Sequence, residues 1–187
     1  MDLSFIRPWS PIVETREPAP AGRQPQAIVA ALNSTWFGAG LPPETQARLA
    51  AMGHIERVPA GTELLREGEI AEDFGLLLAG RVALRMLVPE RGMVTILTVE
   101  PGDIIGWSAI VPPHRSTSTV VAIEPAEVLM LDGAELRAAL RADHALAATL
   151  YPRVLQAVGR RLNATRLQLL DLFARDELAR GEALRAW

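Results

Sequence analysis

The chain has 187 residues, 49% hydrophobic and 22% charged, with no Cys, and all 19 of its basic residues are Arg. One domain with appendages fits that length, and the missing residues exclude thiol nucleophiles, thiolate zinc sites, cysteine-ligated clusters, Walker A lysines and Schiff-base chemistry. The net charge of −3 argues against a polyanion such as DNA as the main partner, and the three His (His54, His114, His144) stand too far apart in sequence to suggest a metal site.

Residues 1–25 carry Pro8, Pro11, Pro18, Pro20 and Pro25 among small and polar residues, so neither helix nor sheet can propagate. They are expected to form a disordered tail, or an arm that docks Phe5, Ile6 and Trp9 on a partner subunit. The start, Met1-Asp2-Leu3-Ser4, lacks the basic and apolar regions of a signal peptide, and no run of 18 apolar residues occurs. A cytoplasmic protein with no membrane span is the expectation.

A second region, 26–142, begins with helical composition at Ala27–Ala31. A short helix follows from Leu41-Pro42-Pro43-Glu44 through Ala51, with proline in its first turn and Glu44 near the positive helix end. Gly53 stops it. Eight short β-rich runs then follow: Ile55–Val58, Thr62–Leu65, Phe74–Leu78, Val82–Leu87, Val94–Val99, Asp103–Ile105, Thr117–Ala122 and Val128–Leu131. Turn signals such as Pro59-Ala60-Gly61, Arg66-Glu67-Gly68, Ala79-Gly80 and Pro101-Gly102-Asp103 punctuate them. The spacing predicts a mainly β protein: a β-roll or jelly roll with flanking helices. Hydrophobic alternation is only partial, as expected where strands are buried on both faces.

The pattern turns helical again at Glu135–Arg141 and then in a long helix from an Asp143 N-cap to Ala174, spanning 143–175, with 176–187 as a fraying tail. Pro152 must kink this helix or mark where its longer part begins. Tyr151, Leu155, Val158, Leu162, Thr165, Leu169 and Leu172 recur in alternating steps of four and three. That is a narrow coiled-coil seam of about three heptads, best satisfied by the same helix of another subunit, so a homodimer is expected. Packing of the stripe on its own roll is the alternative.

The stretch Gly102–Thr117 carries the candidate chemistry. Gly106 precedes Trp107, Ser108, Ala109 and Ile110, which can form one helical turn, and after the loop Val111-Pro112-Pro113-His114 come Arg115, Ser116 and Thr117. Backbone donors at such a turn, with a guanidinium able to bind in two-pronged fashion and nearby hydroxyls, suit an anion.

These features, in this order, resemble the cyclic nucleotide-binding domain, in particular the sensor of the catabolite-activator/FNR-type (Crp/Fnr) regulators. The likeness covers residues 35–174 and rests on Pro59-Ala60-Gly61-Thr62, Leu78-Ala79-Gly80-Arg81-Val82, Pro101-Gly102-Asp103-Ile104-Ile105-Gly106 and Arg115-Ser116-Thr117. It implies a phosphate-binding cassette at Gly106–Thr117. Arg115 would pair with a cyclic phosphate, Ser116 would supply the hydroxyl, and Gly106, Ser108 and Ala109 would shape the turn. The ligand so implied is cyclic AMP or cyclic GMP, with no cofactor and no metal required. Trp107 stands where the family has a Glu that holds the ribose hydroxyl, and it either stacks on the ligand or fills the pocket. A Thr after Arg-Arg-Leu touches the purine in the family, which implies that role for Thr165 after Arg160-Arg161-Leu162. Back-bonding of Thr165 to its own helix is the alternative.

Weaker candidates are Glu67, Glu69 and Glu72, read as a solvated turn; Arg81 and Arg85, read as one side of a strand with surface partners; and His114, read as an exposed loop residue. The Ser116-Thr117-Ser118-Thr119 run lacks the Gly-x-Ser-x-Gly of a hydrolase. Regulators of the resembling type continue into a helix-turn-helix, for which the dozen residues after Ala174 are too few, so direct DNA binding is not expected. A non-catalytic sensor that signals to a protein partner is therefore expected. The alternatives are a degenerate dimerisation or scaffold module and a cupin-like enzyme, the latter disfavoured by its scattered His.

Overall fold

Prolines and glycines set the boundaries of the first elements. The computed structural model describes residues 25–185, with side chains described through Leu170 apart from Leu169. Helix α1 (Pro25–Asn33) and helix α2 (Pro43–Met52) each start at a proline, whose missing N–H is not needed in a first turn. Gly53 closes α2 by donating its N–H to the Leu49 carbonyl. The two helices are joined by a reciprocal amide pair, Gln46 Nε2 to Asn33 Oδ1 at 2.8 Å and Asn33 Nδ2 to Gln46 Oε1 at 3.3 Å. The Pro-rich arm with Phe5, Ile6 and Trp9 lies outside the described residues.

All eight expected strands are present: β1 (Gly53–Val58), β2 (Glu63–Leu65), β3 (Asp73–Ala79), β4 (Val82–Val88), β5 (Gly92–Val99), β6 (Ile104–Ile105), β7 (Thr119–Ala122) and β8 (Ala126–Asp132). They form two four-stranded antiparallel sheets, in the orders β1-β8-β3-β6 and β2-β7-β4-β5. This is the mainly β roll with flanking helices that the spacing predicts.

Strands β3, β6 and β8 are buried on both faces. Leu77, Ile105, Val128 and Met130 point between the sheets, against Val82, Val99 and Val120. Their neighbours Phe74, Leu76, Ile104, Leu129 and Leu131 point outward, onto the helices. A strand with two apolar faces reads as a continuous run rather than an alternating one.

Helix α3 (Gly133–Ala142) is capped by Asp132, whose carboxylate accepts from the Glu135 N–H at 2.7 Å. Helix α4 (His144–Arg185) then runs without a break, with Pro152 inside it. Asp143 caps α4, accepting from Ala145 N at 2.9 Å and Leu146 N at 3.0 Å, and pairs with Arg48 of α2. Beyond residue 176, where the sequence predicts a fraying tail, the chain stays helical to Arg185, consistent with its Ala, Leu, Glu and Arg content.

Leu146, Leu150, Val154 and Ala157 of α4 are buried against the outer face of the first sheet. On another face Tyr151, Leu155 and Leu162 are exposed, Leu155 by 70%, and Val158 is half-buried. Leu169 and Leu172, the last positions of the expected seam, lie outside the described side chains. Among the described residues no helix is long and apolar enough to cross a membrane.

Candidate functional site

The site begins where β6 runs into a glycine turn. Gly106 has φ 64°, a left-handed conformation that favours glycine, and a Cβ there would stand 2.3 Å from the Asp73 carbonyl oxygen. Only glycine lets this turn lie so close to the start of β3. Trp107–Ala109 then form a single 3₁₀ turn, held by Ala109 N to Gly106 O at 2.8 Å and Ile110 N to Trp107 O at 3.1 Å. Ser108 and Ala109 are buried. The Trp107 ring is half-buried and packs against the cluster under the helices.

A second close approach locks this turn to α3. Gly133 donates to the Glu72 carbonyl at 2.6 Å, and a Cβ on Gly133 would meet that oxygen at 2.6 Å and the Ala109 Cβ at 2.9 Å. Arg137 of α3 reaches back to donate to the Ala109 carbonyl.

Past the prolines, the chain returns as a ribbon paired with residues 68–71. Gly68 N donates to Ser116 O at 2.8 Å, Ser116 N to Glu69 O at 2.9 Å, and Ala71 N to His114 O at 2.9 Å, with Ile70 opposite Arg115. Arg115 is exposed and donates through Nη1 to the Gly68 carbonyl at 2.8 Å, leaving its remaining N–H groups available. Ser116 is buried, its hydroxyl donating to Ser118 O at 2.8 Å. His114 takes a positive φ of 61°, and its Nδ1 lies 3.3 Å from Ser108 O.

Arg115 and Ser116 line an open pocket of about 560 Å³, whose lining also includes Arg66, Glu69, Glu72 and Asp73. Arg66 is held by Glu63 at 2.7 Å and Glu69 at 3.4 Å. The hydrogen bond that Arg66 donates to Glu63, with the charges of both carboxylates, raises its pKa above the ordinary value. Glu67 is structural, accepting from Leu87 N at 3.0 Å and so fastening the β4–β5 hairpin to the turn at residues 66–69.

The candidate residues therefore separate. Arg115 and Ser116 line the pocket, while Gly106, Trp107, Ser108 and Ala109 form the turn beside it and are not part of its lining. Thr117 is exposed and lies outside the lining. Thr165 is also outside it, and its hydroxyl donates to the Arg161 carbonyl at 3.0 Å, the back-bonded alternative. Arg81 lies in the turn before β4 rather than on a common strand face with Arg85, and it pairs with Glu100 at 3.0 Å and Glu124 at 3.3 Å.

Sequence reasoning missed three arginines that reach main-chain carbonyls. Besides Arg137, Arg153 donates to Phe37 O at 2.7 Å and Trp36 O at 3.2 Å, and Arg161 donates to Ile104 O at 2.7 Å. Burial lowers the pKa of Arg161 and the charge of Asp103 opposes that effect. Arg160 lies over the Trp36 ring, 4.1 Å from its centre. The available signal was the buried stripe Leu146, Leu150, Val154, Ala157, which Arg161 continues at the next step of four. Among the described residues no group of three His, Asp or Glu is gathered as a metal site.

The β-roll thus carries a glycine-led turn, a returning Arg-Ser and a long following helix. Residues 55–143 match the sequence model of the cyclic nucleotide-binding domain. A putative cyclic nucleotide-binding protein from Geobacter metallireducens superposes with a TM-score of 0.65 at 29% identity, over 74% of this chain and 98% of that one. The N-terminal domain of a transcriptional regulator from Streptomyces coelicolor gives a TM-score of 0.56 at 26% identity, over 74% of this chain and 94% of that one. Among curated proteins, the acetyltransferase Pat of Mycolicibacterium smegmatis is 36% identical over 89 residues, 48% of this chain and 26% of the relative. The chain thus matches only about a quarter of that enzyme's length.

Proposed function

We propose that this chain is a non-catalytic, homodimeric sensor that binds a cyclic nucleotide, cyclic AMP or cyclic GMP, and signals to a protein partner. The observation that carries this is Arg115. Within a domain of this family it stands in the returning ribbon of an open pocket, with guanidinium donors to spare and Ser116 beside it. A phosphate placed there meets a charge-assisted, two-pronged partner. Coupling to α4 would run through main-chain contacts, since Arg137 holds the end of the 3₁₀ turn and Arg161 the strand before it. A ligand shifts such an arrangement only by its differential affinity for two positions of the helix. The exposed Tyr151, Leu155 and Leu162 supply the face for a second subunit.

The test is a titration with cyclic AMP and cyclic GMP followed by melting temperature and Trp fluorescence. Ligand at roughly 100-fold above Kd should stabilise the fold by about 2.7 kcal/mol, and Arg115→Ala should abolish the shift. No response at millimolar ligand would overturn the sensor and leave a dimerisation or scaffold module. The specific observation favouring that second reading is Trp107, which occupies the position of the family's ribose-binding Glu and turns toward the core.

A further inference from the structure

The ribbon that holds Arg115 also fixes Glu72. Ala71 is fully buried, while Ile70, Glu72 and Arg115 are exposed. Side chains alternate along an extended ribbon, so with Ile70 opposite Arg115, Glu72 projects from the same face as Arg115, one diagonal step away. Diagonal neighbours on such a pair stand about 7–8 Å apart. That separation leaves room for a small ring, such as a sugar, between the two side chains.

The charges of the pocket are unevenly used. Arg66 is occupied by Glu63 and Glu69, whereas Glu72 enters none of the ion pairs formed among the described residues. An ionised carboxylate only accepts hydrogen bonds and repels a phosphate, so Glu72 suits a part of the ligand that donates. Its backbone is pinned on both sides: the Glu72 carbonyl accepts from Gly133 N at 2.6 Å, and the adjoining Asp73 carbonyl abuts the Gly106 turn. A carboxylate mounted on a fixed backbone loses less freedom when it engages a ligand. Trp107 packs into the core, so the residue after Gly106 supplies no acceptor there.

From this we infer that Glu72 is the specificity-determining acceptor of the pocket: it takes a hydrogen bond from a free hydroxyl on the sugar while Arg115 holds the phosphate. The inference rests on the proposed function and narrows its ligand to hydroxylated sugar phosphates. The preference belongs to β3 and the loop before it, not to the cassette turn.

Calorimetric titration of the full chain with cyclic AMP, cyclic GMP and their 2′-deoxy counterparts tests it. The wild type should bind the ribose form about tenfold or more tightly than the deoxy form, the value of one hydrogen bond to a charged group. Glu72→Ala should bring both forms to the deoxy affinity while leaving that affinity unchanged within about twofold. Glu72→Gln, which keeps the shape without the charge, should fall between. A wild type without the preference, or Glu72→Ala retaining it, overturns the role of Glu72 and leaves the sensor standing. A wild type that binds none of the four overturns both.

Discussion

Arg161 of α4 donates to the main-chain carbonyl of Ile104 at 2.7 Å, two residues before the left-handed Gly106. The long helix is thus fastened to the strand that leads into the Gly106 turn. Arg161→Ala leaves the carbonyl of a fully buried residue without that donor, at a cost of about 1–3 kcal/mol. A urea titration should show an earlier midpoint by that amount, with Arg161→Lys between the two. An unchanged midpoint would remove the fastening role.

Trp107→Ala separates packing from ligand binding. The ring is half-buried in the cluster that includes Phe74, Leu136 and Leu150 and does not line the pocket, so truncation should lower stability by about 2 kcal/mol. Nucleotide affinity should change by less than about threefold. A tenfold gain would mean that Trp107 obstructs the pocket after all.

For the proposed homodimer, Leu155→Arg and Leu162→Arg place charge on the exposed face of α4 without touching Val154 and Ala157, which hold the helix to the roll. Both variants should sediment as monomers with an intact circular dichroism spectrum. A wild type that is already a monomer would dispose of the dimer.

The start of α4 should be acid-sensitive. Asp143 titrates below the ordinary carboxylate range, first because Leu146 N–H donates to it, with further lowering from Ala145 N–H, Arg48 and the neighbouring His144. A depressed folded-state pKa gives stability that is present above the unfolded value and lost as pH falls through the folded one. Asp143→Ala should therefore melt lower than wild type at neutral pH, and the gap should close below the usual carboxylate pKa. A gap that stayed constant down to the acid limit would refute the linkage.

The eight strands were legible because turn residues punctuate them, and the burial of β3, β6 and β8 on two faces explains why alternation was a poor guide. The Asp143 cap and the exposed positions Leu155 and Leu162 also followed from local pattern. Pairing between distant segments was not legible. Glu72 read as part of a solvated acidic turn because only the Ile70–Arg115 ribbon sets it beside the cassette's arginine. Thr165 carried two readings from its sequence, a ligand contact or back-bonding, and its hydroxyl donates to its own helix at the Arg161 carbonyl. The carbonyl-seeking roles of Arg137, Arg153 and Arg161 were hidden for a related reason: their acceptors carry no side-chain signature.

That last property has an evolutionary consequence. A guanidinium that binds a main-chain oxygen is indifferent to which residue owns the oxygen, so substitutions at 36, 37, 104 and 109 keep the acceptors while altering the side chains around them. The sequence of the Gly106 turn can then vary without unhitching the helices that frame it. Side chains around the turn can change on a scaffold whose fastenings do not have to coevolve with them.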